Sequence, residues 1–443
     1  MVEANIKIIS EMSAFLELVS SEPKLREALT RSPKDFTRNR ILTMEKVVGL
    51  IMNQPKKSLK AEIREFFDIV FQGVEPVTKG GFSQQRAKLL PVFFQLWNTL
   101  LVDSFYHYYG DSIKRWNGFR LLAVDGTTLS LVNTPKVRGH FGTQGKGDNL
   151  PPMARIVQAH DVLNDITLFG HMRPICESEK AITYRMVDDL PLDSLTLFDR
   201  GFPSYALMFM MINQETPRHF VMRCKRDFNQ EVKAFLKSGA HSQVVELTPS
   251  QSAMEGLYAQ CIIVNKSTTI RVRMVRVKLD TGEDEVLLTN LLDDKLYPTS
   301  CFKHLYNLRW GIETTYDKQK NKMLMGQFSG INVECLLQDY HATLVVANIQ
   351  SLIEKQCEQH VKEVSMRRKY EYKVNRNLSF AALKGNIVRL LLMDDPMAML
   401  HKLQKIFQSD LEAIKPGRKH PRKTHTIQLN GKHKTFTNYK RAI

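Results

Sequence analysis

Leu121-Leu122-Ala123-Val124-Asp125-Gly126 is a run of four apolar residues that stops at a carboxylate and a glycine. Leu195-Thr196-Leu197-Phe198-Asp199-Arg200-Gly201 repeats the pattern further along the chain. Short apolar runs bounded by turn residues read as strands buried on both faces. Each is expected to end at its aspartate. Between them, residues 154–162 and 166–172 read as two more strands joined at Asn164-Asp165. Helices are expected over 179–190 and from Ser204 to about Ile212, and a strand over 219–223. A strand meander followed by strands alternating with helices describes an α/β fold, a mixed sheet flanked by helices.

Working outward, residues 1–117 read as helical. From Leu59, the apolar positions Ile63, Phe66, Phe67 and Val70 follow a 3.6-residue period, with Ser58 placed as N-cap. A second helix is expected from Ser83, beyond Gly80-Gly81, and a longer one from Pro91 to Tyr108. Gln84, Gln85 and Arg86 are side-chain types that reach base edges and phosphates, and they are candidate DNA contacts.

Residues 226–299 read as a separate β-rich unit, with strands over 243–247, 258–264, 270–279 and 285–290 and a turn at Asp280-Thr281-Gly282. Along the third of these, Arg271 and Arg273 alternate with apolar residues, and Arg276 and Lys278 do so in the opposite phase. That flip at Met274-Val275 predicts a bulge with basic side chains exposed on the sheet. Helix returns from Cys301, over 306–323 and 333–361, and two shorter amphipathic helices follow. The expected segments are therefore 1–117, 118–225, 226–299, 300–355 and 356–443.

The chain has 443 residues, 43% hydrophobic and 25% charged, which excludes wholesale disorder and a disulfide-stapled miniprotein. Its 63 Lys+Arg exceed its 46 Asp+Glu, a formal charge of +17, which points to a polyanionic partner. Nine of these cations, Lys415 to Arg441, lie after Glu412 with no acidic residue among them, as in a basic arm that orders on a polyanion. The six cysteines are scattered with no C-x-x-C, against a zinc site or a secreted disulfide framework. No uncharged apolar stretch suits a membrane span, so a cytoplasmic setting without membrane is expected. Gly142 to Asp148 has the flavour of a phosphate loop but the wrong spacing for a Walker motif, and reads as a loop near DNA.

Asp125 and Asp199 would sit at the edge of the sheet where ligands and catalytic groups gather. Buried carboxylates are costly unless paired or metal-bound, and two together suit the hard-oxygen set that Mg²⁺ prefers. A third carboxylate comes from Tyr306-Asn-Leu-Arg309-Trp-Gly-Ile-Glu313, followed by Lys320. On one continuous helix these four side chains would fall at roughly 0°, −60°, −20° and −40°, a single narrow face. An exposed face held by an Arg309–Glu313 pair is the plainer alternative.

The spacing Tyr-x2-Arg-x3-Glu-x6-Lys resembles the signature of DDE transposases of the insertion-sequence-four type, a chance match at roughly three in a thousand. Asp125 and Asp199 look like the family's first and second catalytic aspartates, in the order Asp, Asp, Glu. The resemblance implies an RNase H-like core interrupted by a β-rich insertion, with helical N-terminal and C-terminal regions. It implies Asp125, Asp199 and Glu313 as catalytic ligands of two divalent ions, Mg²⁺ or Mn²⁺. Tyr306, Arg309, Lys320 and Arg200 would contact DNA. The expected partners are double-stranded DNA, as terminal inverted repeats and target, and a second copy of the chain in a dimer. A bacterial, nucleoid-associated protein that cuts the ends and joins them elsewhere is implied. A nuclease that never joins ends, or a DNA-binding regulator without chemistry, is the rival. Relatives that form a DNA hairpin hold a flipped base with a tryptophan in the insertion. No tryptophan lies in 226–299, so either Tyr258 or Tyr297 substitutes or the hairpin is handled differently.

Overall fold

The computed structural model describes residues 1–38, 40–53, 57–70, 75–145, 150–279, 282–393 and 395–415. The basic run after Lys415 lies outside them, as do residues 146–148 of the glycine-rich loop and Asp280-Thr281 of the expected turn. The chain opens with helices α1 (Val2–Ser21), α2 (Pro23–Ala28), α3 (Met44–Asn53), α4 (Leu59–Val70), α5 (Lys79–Arg86) and α6 (Val92–Tyr109). The sheet begins with β1 (Arg120–Ser130), then α7 (Pro135–Phe141), β2 (Met153–Asp161), β3 (Ile166–Pro174), α8 (Glu179–Tyr184), β4 (Ser194–Phe198), α9 (Tyr205–Ile212) and β5 (His219–Cys224). The insertion contributes α10 (Gln230–Ser238), β6 (Ser242–Leu247), α11 (Gln251–Tyr258), β7 (Ile270–Lys278) and β8 (Asp284–Thr289). Then come α12 (Thr299–Asn307), α13 (Trp310–Asp317), a π-helical turn (Lys318–Lys322), α14 (Val333–Gln356), α15 (Glu358–Met366), β9 (Glu371–Val374), α16 (Arg376–Lys384), α17 (Ile387–Leu392), α18 (Pro396–Ser409) and β10 (Leu411–Ile414).

Eight strands form one mixed sheet in the order β3-β2-β1-β4-β5-β8-β7-β6. The meander β1-β2-β3 is antiparallel, and β4 and β5 add in parallel to β1. That part is the RNase H-like core. Both faces of its centre are covered. Leu122 and Val124 face one hydrophobic cluster, and Leu121 and Ala123, one residue out of phase, face two others. Burial on both sides is why these strands read as unbroken apolar runs.

Several local expectations are corrected. The helix expected from Ser83 starts at Lys79, because the Thr78 hydroxyl accepts from the Gly81 N–H and carries the helix through both glycines. β1 continues past Asp125 to Ser130, since antiparallel pairing to β2 persists where the parallel pairing to β4 stops at Val124. The expected strand over 258–264 is absent: Tyr258 ends α11. Residues 226–299 do not stand apart, because β8 pairs with β5 and extends the same sheet. Pairing along β7 runs without a register shift, so there is no bulge. The phase flip reflects coverage instead: Val272 and Met274 face one cluster, while Val275 and Val277 face the one containing α12. Arg273 is buried there, donating to the Tyr297 carbonyl, and Arg276 caps the carbonyls of Phe235 and Leu236.

One hydrophobic cluster runs from Ile8 to Phe407, so the segment boundaries mark changes of secondary structure within a shared core. Its axis is α14, with 20 of 24 residues buried, which explains why its sequence is not amphipathic. Some of the buried polar groups on it are matched, although Gln350 Oε1 and Glu354 Oε1 have no hydrogen-bond partner among the described residues. Asn348 donates to Asn98 and to the Thr167 carbonyl, and Gln350 donates to Ser379. Among the described residues no helix is long and apolar enough to cross a membrane.

Arg86 is the clearest reassignment. It is 1% exposed, and its guanidinium pairs with Asp339 at 2.9 Å while bonding Gln338, Ser329 and the Cys335 carbonyl. It cannot also reach a DNA phosphate; it fastens α5 to α14. Arg86→Ala would leave the Asp339 carboxylate buried, and unfolding measurements should show a loss of roughly 3–5 kcal/mol. Weakened DNA binding at wild-type stability would instead restore the phosphate-contact reading.

Candidate active site

The parallel register builds the site. Val124 pairs with Phe198, and Phe198 with Met222, so Asp125, Asp199 and Arg223 are each the next residue of three neighbouring strands. Arg223 was not singled out from sequence, although it too follows an apolar run, Phe220-Val221-Met222. Its guanidinium lies 4.0 Å from Asp199 Oδ1 and pairs with Glu285 of β8, a further carboxylate that only the sheet order brings near.

The third element lies across these strand ends. Tyr306 and Glu313 do not share one uninterrupted α-helix. Around Leu308 and Arg309 the bonding tightens to three-residue steps, with Arg309 N–H donating to Tyr306 O and Ile312 N–H to Arg309 O. Both residues keep right-handed helical angles, so the side chains still face the strands. The Tyr306 hydroxyl donates to the Phe198 carbonyl at 3.3 Å and to Asp199 at 3.4 Å, and its burial pushes the phenol well up. Arg309, 2% exposed, reaches Glu313 at 2.9 Å and Asp125 at 3.5 Å. One buried cation therefore bridges two of the three candidate carboxylates. Its Nε is buried without a hydrogen-bond partner among the described residues.

The Asp125 carboxyl is perturbed by its surroundings. It is raised to about 6: desolvation dominates, the Gly126 N–H and Arg309 pull the other way, and Asp199 and Glu179 add to the rise. Glu179, held by Arg155 at 3.1 Å, packs directly on Gly126, where a Cβ would meet its carboxylate within 2.5 Å. The Tyr316 hydroxyl donates to the Asp125 carbonyl at 2.7 Å. Neither Glu179 nor Tyr316 carried a sequence signal, since each depends on what folds over β1. Arg200 is exposed beside Asp199.

Lys320 reaches the strands by another route. The π turn makes three consecutive side chains point inward. Lys318 reaches Asp165 at 3.5 Å and Ser351 at 3.1 Å; Gln319 accepts from Gln158, the β2 residue opposite Asp125; Lys320 donates to Thr127 and to the Thr128 carbonyl. Among the aromatic stand-ins, Tyr297 stacks on Trp116 at 5.9 Å, whereas Tyr258 is 73% exposed. Gln84 is exposed and Gln85 half-buried on α5.

The strand order defines a protein with an RNase H-like core, and its strand ends carry a candidate acidic site. Two curated proteins are similar to the chain. The chain is 24% identical over 317 residues to "Transposase InsG for insertion sequence element IS4" of Escherichia coli K12, covering 68% of this chain and 67% of that one. It is also 24% identical over 214 residues to "Putative transposase InsZ" of the same organism, covering 47% of this chain and 70% of that one. Both relatives are named as transposases, the first of them for insertion sequence element IS4. A piggyBac transposase synaptic complex with hairpin DNA aligns over 95% of this chain and 86% of that one, at 13% identity and a TM-score of 0.39. No protein-family model matches the chain.

The Lys318–Asp165 contact offers a test of the π turn. The neighbouring cations, Lys318 foremost, outweigh desolvation and hold the Asp165 carboxyl well below its usual range. A depressed carboxyl contributes stability that is full above about pH 4 and is lost as pH falls through the lowered value. Lys318→Met should therefore destabilise by roughly 1–3 kcal/mol at pH 5–7, and the deficit should shrink only below about pH 4. Thermal unfolding of both proteins across that range measures it.

Proposed function

We propose that this chain is a metal-dependent DNA transposase that binds the terminal inverted repeats of an insertion sequence, cleaves the ends and joins the freed 3′ ends to target DNA. The observation that carries this reading is the convergence of Tyr306, Arg309 and Glu313 on the strand ends bearing Asp125 and Asp199. Lys320 is bonded two and three residues along β1 from Asp125. These positions match the transposase signature.

Among the described residues, no three His, Cys, Asp or Glu side chains are grouped closely enough to hold a metal ion. The chemistry of the donors nevertheless fits a hard divalent cation. Asp125 carries a desolvated carboxyl that Arg309 only partly compensates, and Asp199 is its neighbour in register. Asp125, Asp199 and Glu313 would hold Mg²⁺ or Mn²⁺, two ions per site. When bound, such ions supply Lewis-acid charge and a deprotonated nucleophile for in-line displacement at phosphorus. The chain's own contributions are positional. Arg309 keeps like charges together at the strand ends, Tyr306 fixes Asp199, and Lys320 and Arg200 offer charge to the DNA backbone. Two copies acting on paired ends would form a dimer.

Asp125→Asn should lower cleavage of DNA bearing the element's ends by at least roughly a hundredfold while end binding survives. Retained cleavage in Mg²⁺ would sink the assignment. Strand transfer from pre-cleaved ends then separates a transposase from a nuclease. Lys320→Ala should weaken end binding, with a salt slope shallower by about one.

A further inference from the structure

A basic cup on the N-terminal helical region brings cations that have been given no role so far beside Gln85. Lys34, Arg38 and Arg40, from the segment between α2 and α3, converge with Gln85 and Lys88 from the end of α5 around a cavity of about 250 Å³ floored by Phe36. The cup is built by folding. Leu90 N–H donates to the Leu29 carbonyl, Arg31 N–H donates to the Lys88 carbonyl, and Thr30 bridges Leu89, so the two segments are tied across the backbone. Phe36 takes φ +57°, uncommon for a bulky residue, and its ring lies 5.6 Å beneath the Lys88 ammonium. Strain of this kind persists where the surrounding structure holds it.

The charges are unbalanced. Asp35 pairs with Lys88 at 3.8 Å, whereas Lys34, Arg38 and Arg40 are exposed and no side-chain hydrogen bond or ion pair is described for them. Three unpaired cations held at one rim repel one another, and an anion at the cup relieves that repulsion. They spread beyond the cavity, so a polyanion with repeated charges meets them better than a single small anion. The Gln85 amide lines the same wall, and Gln84 is exposed beside it. Buried Arg86 pins this end of α5 to α14, so the cup is rigid with respect to the catalytic core.

We infer that the cup seats a backbone phosphate of duplex DNA, with Lys34, Arg38 and Arg40 contacting the phosphates beside it. This rests on the transposase reading for its choice of polyanion, but its test is independent of chemistry. The full chain would be titrated with a labelled 30-base-pair duplex of arbitrary sequence by fluorescence anisotropy at several salt concentrations. The triple variant Lys34→Ala, Arg38→Ala, Arg40→Ala should bind at least tenfold more weakly, with a log–log salt slope shallower by about two to three. Metal-dependent nicking by the wild-type protein, measured in parallel, reports on the transposase reading alone. Loss of duplex binding without any nicking would leave the cup standing and remove the catalytic proposal. Wild-type affinity and slope in the triple variant would overturn the cup. So would an equal loss on substituting the exposed lysines Lys24, Lys369 and Lys405, since binding would then be generic attraction.

Discussion

Hydrogen bonding among β1, β4 and β5 holds Val124 opposite Phe198 and Phe198 opposite Met222, and everything at the candidate site follows from that register. Up to these residues each strand is apolar and covered on both faces. One residue later the parallel pairing of β1 with β4 stops and the side chains become Asp125, Asp199 and Arg223. A slip of one residue in any strand would drive a charged group into one of the hydrophobic clusters. The same apolar burial that stabilises the sheet therefore aligns its polar ends.

Gathering carboxylates raises an electrostatic problem that Arg309 answers. Asp125, Asp199, Glu313, Glu179 and Glu285 surround the strand ends, and Asp125 is pushed up to about 6, chiefly by desolvation. Arg309 compensates Asp125 and Glu313 from a buried position, and Arg223 does so for Asp199 and Glu285. Buried pairs of this kind add little net stability. What they provide is placement of acids that would otherwise repel one another.

The π turn after Glu313 performs a mechanical task. In an α-helix, Lys318, Gln319 and Lys320 would point in directions about 100° apart. Widening the helix turns all three inward, toward Asp165, Gln158 and the Thr127-Thr128 edge of β1. Asp165 also pairs with Arg376 of α16, so the helices after the core brace the element that carries Glu313.

Much of this was legible in the sequence. The β1 to β5 strands, the α9 helix and the aspartates at their ends showed as apolar runs broken by charge, because double-sided burial writes itself into composition. The Tyr306 to Lys320 spacing anticipated side chains that face the strands even though the segment is not one straight helix, since local residue order survives a tightened turn and a π turn. Long-range partners were not legible. Arg86 looks like a solvent-facing cation until α14 covers it, and Arg271 to Lys278 look bulged until both faces of β7 are seen to be packed at different points. Glu179, Glu285 and the basic cup join residues far apart in the chain. The sequence by itself determined which segments could be buried and where charge must interrupt them. Only the tertiary structure decided which charges face each other, because that depends on strand order and helix packing rather than on local pattern.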